Sequence, residues 1–308
     1  MGGPVTIKKR VDTVNLLREE LKKSEIIIAP GVFNPLSAML VERMGFKAVY
    51  VSGAAVTASL GLPDIGLITM DEMVRVVKYI VDSIDIPVIV DADTGYGEAL
   101  NVVRAVREFE KVGASAIQIE DQVLPKKCGH LSGKKLIEPL EMARKIKAAV
   151  EARVNPDLII IARTDARGVN GFQDAVERAT LYIEAGADVI FPEALESEEE
   201  FIEFAKKVKA PLLANMTEFG RSPILSFKRL EEIGYKLVIY PVTLLRLAMN
   251  AMREGLINLM KDGSQEKMLS KMFTRKELYD LIYYDEYESF DRRIAEEVEK
   301  KVSRTWIR

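Results

Sequence analysis

Two short segments carry residues whose types and spacing could do chemistry. The first is Asp91-Ala92-Asp93, which closes the apolar run Pro87–Asp91. That run reads as a β-strand. Aspartates two apart on a strand end share a face, so both carboxylates can meet one hard cation. Glu120 could support them directly or through water. Mg²⁺ suits such a site, because it takes one or two protein carboxylates and leaves positions for water and substrate oxygens. The chain has no His/Cys cluster that would suit zinc. The bland alternative is that both aspartates cap the helix beginning near Glu98. The second segment is Lys126-Lys127-Cys128-Gly129-His130, which holds the only cysteine and the only histidine of the chain. A thiol between cationic lysines is expected to titrate below its usual range and to transfer a proton. Its alternative is an inert surface loop with an incidental cysteine. The stretch from Val123 to Ile137 is long and charged, as expected of a mobile lid.

Something must hold these segments together. Short β-branched runs recur at Ile26–Pro30, Lys47–Val51, Pro87–Asp91, Ala116–Glu120, Leu158–Ala162, Asp188–Pro192, Pro211–Ala214 and Lys236–Tyr240. Amphipathic stretches such as Asn101–Val112, Leu140–Ala152, Phe172–Ala185 and Glu198–Lys209 lie between them. Gly45, Gly113, Gly186 and Gly234 follow the helical patterns as left-handed caps. Strand–helix alternation repeated eight times, with no Gly/Ser-rich linker, predicts a single α/β domain over 1–308, a (β/α)8 TIM barrel. An open doubly wound sheet is the rival. The tail from Thr274 reads as further helix (Lys276–Ile282 and Glu286–Ser303), a C-terminal helical extension over 274–308 that could pack on a neighbouring subunit.

In such a barrel the chemistry gathers at the carboxyl ends of the strands. Strand parity puts Ile89, Asp91 and Asp93 on one face, as it does Gln118 with Glu120, Ile161 with Arg163, and Phe191 with Glu193. If those faces point inward, carboxylates, an arginine and an amide converge on one mouth. Buried charges of this kind are costly unless paired or metal-bound.

Composition narrows the partners. Of 308 residues, 48% are hydrophobic and 30% charged, with 44 basic and 47 acidic side chains giving a net charge of −3. No basic stripe suggests nucleic acid, and no polybasic cluster suggests a membrane. The lone Cys128 precludes an intramolecular disulfide, which makes a reducing cytoplasm the natural compartment. No apolar run is long enough to span a bilayer. Gly2 with Thr6 nominally matches a myristoylation pattern and Asn215-Met216-Thr217 a glycosylation sequon, both without supporting context. Gly95-Tyr96-Gly97 superficially matches a dinucleotide-binding turn. Leu100 stands where the third glycine belongs, however, and the neighbouring aspartates would repel a pyrophosphate.

The sequence resembles the isocitrate lyase/phosphoenolpyruvate mutase superfamily, most closely its 2-methylisocitrate lyase branch, over nearly the whole chain. The motifs that carry the likeness are Ser52-Gly53, Leu62-Pro63-Asp64, Asp91-Ala92-Asp93-Thr94-Gly95-Tyr96-Gly97, Ile119-Glu120-Asp121-Gln122, the Lys-Lys-Cys-Gly-His lid, Ala162-Arg163-Thr164-Asp165-Ala166, Phe191-Pro192-Glu193 and Asn215-Met216-Thr217-Glu218. The resemblance implies a homotetramer that exchanges C-terminal helices. It implies Mg²⁺ on Asp91 and Asp93 and a small tricarboxylate substrate whose hydroxy-acid end meets Ser52, Gly53 and Ala54. Cys128, Gly129, Arg163, Glu193, Asn215, Met216, Thr217, Arg246 and Arg275 would complete the pocket. It further implies a retro-aldol cleavage of 2-methylisocitrate, as in propionate catabolism by the methylcitrate cycle. Cys128 would deliver the proton, Lys126, His130 and Arg163 would offset charge, and Tyr50 would orient or deprotonate the hydroxyl. Isocitrate cleavage is the nearest alternative, because the lid sequence leans toward the isocitrate pattern. Phosphonopyruvate or oxaloacetate chemistry and a non-catalytic metabolite-binding barrel are further alternatives. The Cys-Gly-His lid weighs against the former.

Overall fold

The β-branched runs form eight strands: β1 (Ile27–Val32), β2 (Val49–Val51), β3 (Val88–Asp91), β4 (Ala116–Glu120), β5 (Ile159–Thr164), β6 (Val189–Pro192), β7 (Leu213–Asn215) and β8 (Leu237–Tyr240). In the computed structural model, which describes residues 11–306 and side chains as far as residue 302, all of them pair in parallel. Their order is β6-β5-β4-β3-β2-β1-β8-β7. A bridge between Ile190 and Leu212 joins the two outer strands, so the sheet curls into a nearly closed barrel. The open-sheet rival is excluded. Strand β5 runs to Thr164, beyond the apolar run that ends at Ala162, because Arg163 and Thr164 find buried polar partners.

Helices α1 (Val14–Lys22), α2 (Pro35–Arg43), α3 (Gly53–Ser59), α4 (Met70–Val81), α5 (Ala99–Val112), α6 (Pro139–Ala152), α7 (Phe172–Glu184), α8 (Glu198–Lys207) and α9 (Phe227–Ile233) accompany the strands. Their starts are chemically marked. Asn34 and Ser37 cap α2 reciprocally, as Thr69 and Glu72 cap α4. The four glycines expected at helix ends all adopt positive φ, from 86° at Gly45 to 109° at Gly234.

Alternating parity separates two cores. Helix-facing residues such as Val88, Val90, Ile117, Ile119, Ile160 and Ala162 pack against the surrounding helices. Inward residues form a second cluster: Ile27, Ala29, Tyr50, Ile89, Ala116, Ile159, Ile161, Val189, Phe191, Leu213, Leu237 and Ile239. Leu17 of α1 belongs to that cluster and plugs the barrel floor. One inward step further up, the strands carry Asp91, Gln118, Glu120, Arg163, Glu193 and Asn215. The barrel interior therefore turns from apolar to charged within a single residue pair.

Helix α10 (Thr243–Asp262) follows β8 and packs on β1 as the barrel's eighth helix, although none of its residues is fully buried. Beyond it lie α11 (Arg275–Leu281) and α12 (Tyr284–Trp306). A cavity of about 680 Å³ lies between α2 and these helices, lined by Met39, Arg43, Tyr279, Asp280 and Glu286 among others, on the outside of the barrel. No helix among the described residues is long and apolar enough to cross a membrane.

Candidate active site

Asp91 ends β3, and Asp93 follows it with φ at 48°. Both carboxylates are buried at the barrel mouth. Asp91 accepts the Gly53 N–H on Oδ2 (3.1 Å) and the Asp93 N–H on Oδ1 (3.2 Å). Neither aspartate caps α5, whose entrance is closed by Asn101 Oδ1 accepting from the Glu98 N–H (3.1 Å). The capping alternative fails. Lys126 Nζ lies 2.6 Å from Asp93 Oδ1 and 2.5 Å from Asp64 Oδ1. Burial raises the Asp93 carboxyl to about 6, with Lys126 opposing and Asp91 reinforcing the shift.

Glu120 stands next to this pair, fully buried, with Arg163 Nη1 3.1 Å from its Oε2. Neither Glu120 oxygen has a well-directed hydrogen bond, and the Gln118 amide nitrogen is also unpartnered. Burial pushes the Glu120 carboxyl well up, against the pull of Arg163 and Lys126. These residues fit a hard cation: two acidic side chains at one mouth keep lone pairs free, and a third buried carboxylate lacks donors. Among the described residues no three His, Cys, Asp or Glu side chains form an all-protein cage. A site of this kind suits a cation that retains water and substrate ligands.

Arg163, inward on β5, is the hub of the opposite wall. It grips Asp165 through Nε (3.0 Å) and Nη2 (3.1 Å), meets Glu120, and places Nη2 3.4 Å from Glu193 Oε2. Its guanidinium also lies 5.2 Å from the centre of the Phe191 ring. Burial opposes the charge of Glu193, yet Arg163 and His130 together hold its carboxyl well below the usual range. His130 Nε2 lies 2.8 Å from Glu193 Oε1, while Nδ1 accepts the Arg221 N–H (2.9 Å), an arrangement that puts the ring proton on Nε2. Asn215 donates to both Glu193 oxygens at 3.3 Å and accepts the Thr217 N–H at 3.0 Å.

The segment bearing Cys128 is seated over this mouth, not splayed into solvent. Gln122 clamps the Lys127 backbone in both directions (2.8 and 2.9 Å), and Lys126, Gly129 and Lys134 are buried. A Cβ at Gly129 would fall 2.3 Å from Glu193 Cγ and 2.5 Å from Arg163 Nη2, so only glycine lets the flap lie flat there. His130 likewise sits over Gly220, where a Cβ would come within 2.6 Å of its ring. The segment is therefore packed against the mouth and is not a free surface loop. Cys128 is a free, half-buried thiol. One expectation is corrected: burial pushes its pKa up, not down, and Glu193 adds to the effect, while the His130 N–H and Arg163 oppose it. The flanking lysines do not lower it because Lys126 is spent on Asp64 and Asp93.

The remaining expected residues divide. Tyr50 lies deep in the barrel, donating to Gln118 Oε1 (2.6 Å). Burial drives its hydroxyl pKa well up, which disfavours a role as base. Ser52 caps α3 through Oγ, with Gly53 buried and Ala54 half-buried beside it. Arg246 is at the rim, bound to Glu218 O (2.7 Å) and Oε2 (2.8 Å) with Phe219 beneath. Thr217 is half-buried next to Asn215. Met216 points the other way: it belongs to the helix-facing core and accepts the Leu225 N–H on Sδ (3.2 Å), because parity opposes it to Asn215. Arg275 begins α11, exposed on the extension, and no described contact joins it to the mouth. Asp165 and Lys134 were missed. Asp165 shares the parity of Arg163 and was legible. Lys134, one lysine among several in the flap, gave no signal.

A family model described as phosphoenolpyruvate phosphomutase matches residues 17–260. The chain belongs to the phosphoenolpyruvate mutase/isocitrate lyase superfamily. Within this superfamily it is 57% identical over 289 residues to 2-methylisocitrate lyase of Aeropyrum pernix, covering 94% of this chain and 93% of that protein. A crystal structure of 2,3-dimethylmalate lyase, a member of the same superfamily, superposes with a TM-score of 0.87 at 37% identity, covering 92% and 96% of the two chains. A phosphonopyruvate hydrolase crystallised with oxalate and Mg²⁺ gives 0.81 at 31% identity, covering 96% and 100%.

Proposed function

We propose that this chain is a carbon–carbon lyase that cleaves 2-methylisocitrate to pyruvate and succinate, with Mg²⁺ on Asp91 and Asp93 and with Cys128 as proton donor. The observation that carries this reading is a thiol-bearing flap seated over a buried carboxylate pair at the barrel mouth. The name borne by the 57% identical relative supports the substrate, and the magnesium-bound hydrolase supports the metal. Mg²⁺ at the aspartate pair would polarise the hydroxyl and carboxylate oxygens of the substrate and make the hydroxyl more acidic.

The protein's own groups do the rest. Gly53 and Ala54, with Ser52 behind them, receive the hydroxy-acid carboxylate. Arg163 faces the carboxylate that gains charge as the C–C bond breaks, in a site where burial strengthens the interaction. Cys128, held as a thiol by its surroundings, gives its proton to the carbon of the departing succinate. Lys126 and His130 tether the flap through Asp93 and Glu193 and offset the new charge, Lys126 with its ammonium and His130 with its Nε2–H dipole. Tyr50 orients through Gln118.

A homotetramer with exchanged C-terminal helices is supported by the apolar stripe Tyr287, Phe290, Ile294, Val298 and Val302, exposed at helical spacing along α12. An apolar groove of about 390 Å³ lined by Leu40, Val41, Met44, Phe46, Phe227 and Leu244 offers a receiving surface. A cytoplasmic setting suits a lone thiol that must stay reduced.

Cleavage of 2,3-dimethylmalate is a second reading, favoured by the 37% identity to that lyase over 92% of this chain. It would release the same pyruvate with propionate in place of succinate. The deciding experiment incubates pure protein and Mg²⁺ with 2-methylisocitrate, isocitrate or 2,3-dimethylmalate and identifies both products. Pyruvate with succinate at the highest kcat/KM is expected. Glyoxylate from isocitrate at equal efficiency would overturn the assignment.

A further inference from the structure

Lys134 has no part in the mechanism above, yet its side chain is among the most buried cations of the chain, 1% exposed. Its ammonium lies 2.7 Å from Asp165 Oδ1 and donates a short hydrogen bond to the Gly129 carbonyl. The two partners belong to different machinery. Gly129 is the flap residue next to Cys128, and Asp165 is the carboxylate that grips Arg163 from below. Gly168 leaves room for the ammonium end of the lysine, since a Cβ there would meet Nζ at 3.2 Å. A lysine is buried this completely only where its charge is matched and its donors used.

We propose that Lys134 is a positioning residue that latches the flap shut and keeps Arg163 available to substrate. This inference rests on the lyase reading. When the flap seats, Lys134 draws the Gly129 carbonyl down onto the Arg163–Glu193 pair and so sets the height of Cys128 above the mouth. At the same time it shares the charge of Asp165. Arg163 faces Glu120, Asp165 and Glu193 together, and Lys134 offsets the charge of Asp165, so less of the guanidinium's charge is spent before a substrate carboxylate arrives. When the flap lifts, the Lys134–Asp165 contact breaks and Asp165 tightens on Arg163. Closure and the readiness of Arg163 are therefore one event.

Because Cys128 is the sole thiol, its alkylation by iodoacetamide reports the flap directly. The test compares wild type, K134M and the charge-balanced double variant K134M/D165N, with and without Mg²⁺, pyruvate and succinate. In wild type the ligands should slow alkylation at least tenfold. In K134M that protection should vanish and kcat should fall about 10²-fold, the order expected for a misplaced reacting group. In the double variant the flap should stay unprotected while KM recovers toward wild type, because Arg163 is no longer over-neutralised. That split separates positioning from general damage, and the double variant supplies the flap readout if K134M fails to fold. Full ligand protection and near-wild-type kcat in a folded variant would overturn the latch. A wild type that shows ligand protection but no pyruvate release would sink the lyase reading and leave the latch standing.

Discussion

Cys128 and Tyr50 are both weak acids whose burial raises their pKa, with opposite consequences for their roles. A thiol that keeps its proton is a ready acid for cleavage and a poor base for the reverse reaction. The cleavage rate should therefore hold across neutral pH and fall only above about 8.5, the ordinary thiol value, as the proton is lost. The synthetic rate should climb over that same interval. Paired pH profiles of kcat in the two directions check this, and an alkaline limb near pH 7 for cleavage would contradict it. Tyr50 keeps its proton too, and spends it on Gln118 Oε1. Replacing it by Phe strands that buried acceptor and should cost about 1–3 kcal/mol of stability. If the hydroxyl only orients, kcat should drop less than about tenfold; a loss approaching 10⁴-fold, the upper range of general base catalysis, would make it the base. Urea unfolding and steady-state rates separate the two effects.

At the scale of elements, strand parity explains why so much of the site was readable. Asp91, Glu120, Arg163 and Glu193 fall inward because residues two apart on a strand share a face, and β-branched runs fix the register. Met216 failed by the same rule: it was carried with its motif, although Asn215 beside it occupies the inward position. The flap was less legible. Its residues obey no periodicity, and the pull of Asp64 and Asp93 on Lys126 is a tertiary fact that no local pattern encodes. The low titration expected of the thiol fails on its burial as well as on that pull. Gly129 is where the flap depends on a single atom. Alanine there cannot seat against Glu193 and Arg163, so G129A should lower kcat about 10²-fold. The barrel should keep its thermal midpoint, since the flap merely stays raised. Proteolytic nicking within residues 123–137 should accelerate in step, and an unchanged nicking rate would argue against a raised flap.

For the whole molecule, the closed sheet and its two cores follow from eight alternations that the sequence displays plainly. The apolar faces that the last helices leave uncovered do not. Helix α10 continues from β8 with Leu247, Met252, Leu256 and Met260 exposed, and α12 repeats the pattern. Faces of that size are covered in a stable assembly. The full chain should sediment at about four times its 34.5 kDa mass. Truncation after Ile282 should yield smaller species that still fold as barrels by circular dichroism. A truncated chain that remains tetrameric would exclude exchange of α12.

The most direct test sets the metal pair against the flap thiol in one titration. Pyruvate release from 2-methylisocitrate is followed as Mg²⁺ is added to wild type and to C128S, with Mg²⁺ binding measured alongside by calorimetry. Wild type should turn over only with metal present. C128S should bind Mg²⁺ with unchanged affinity yet lose about 10²–10⁴-fold in kcat, the span of a general acid's contribution. Turnover by C128S within a few fold of wild type would contradict the arrangement of cation and sulfur on which the mechanism stands.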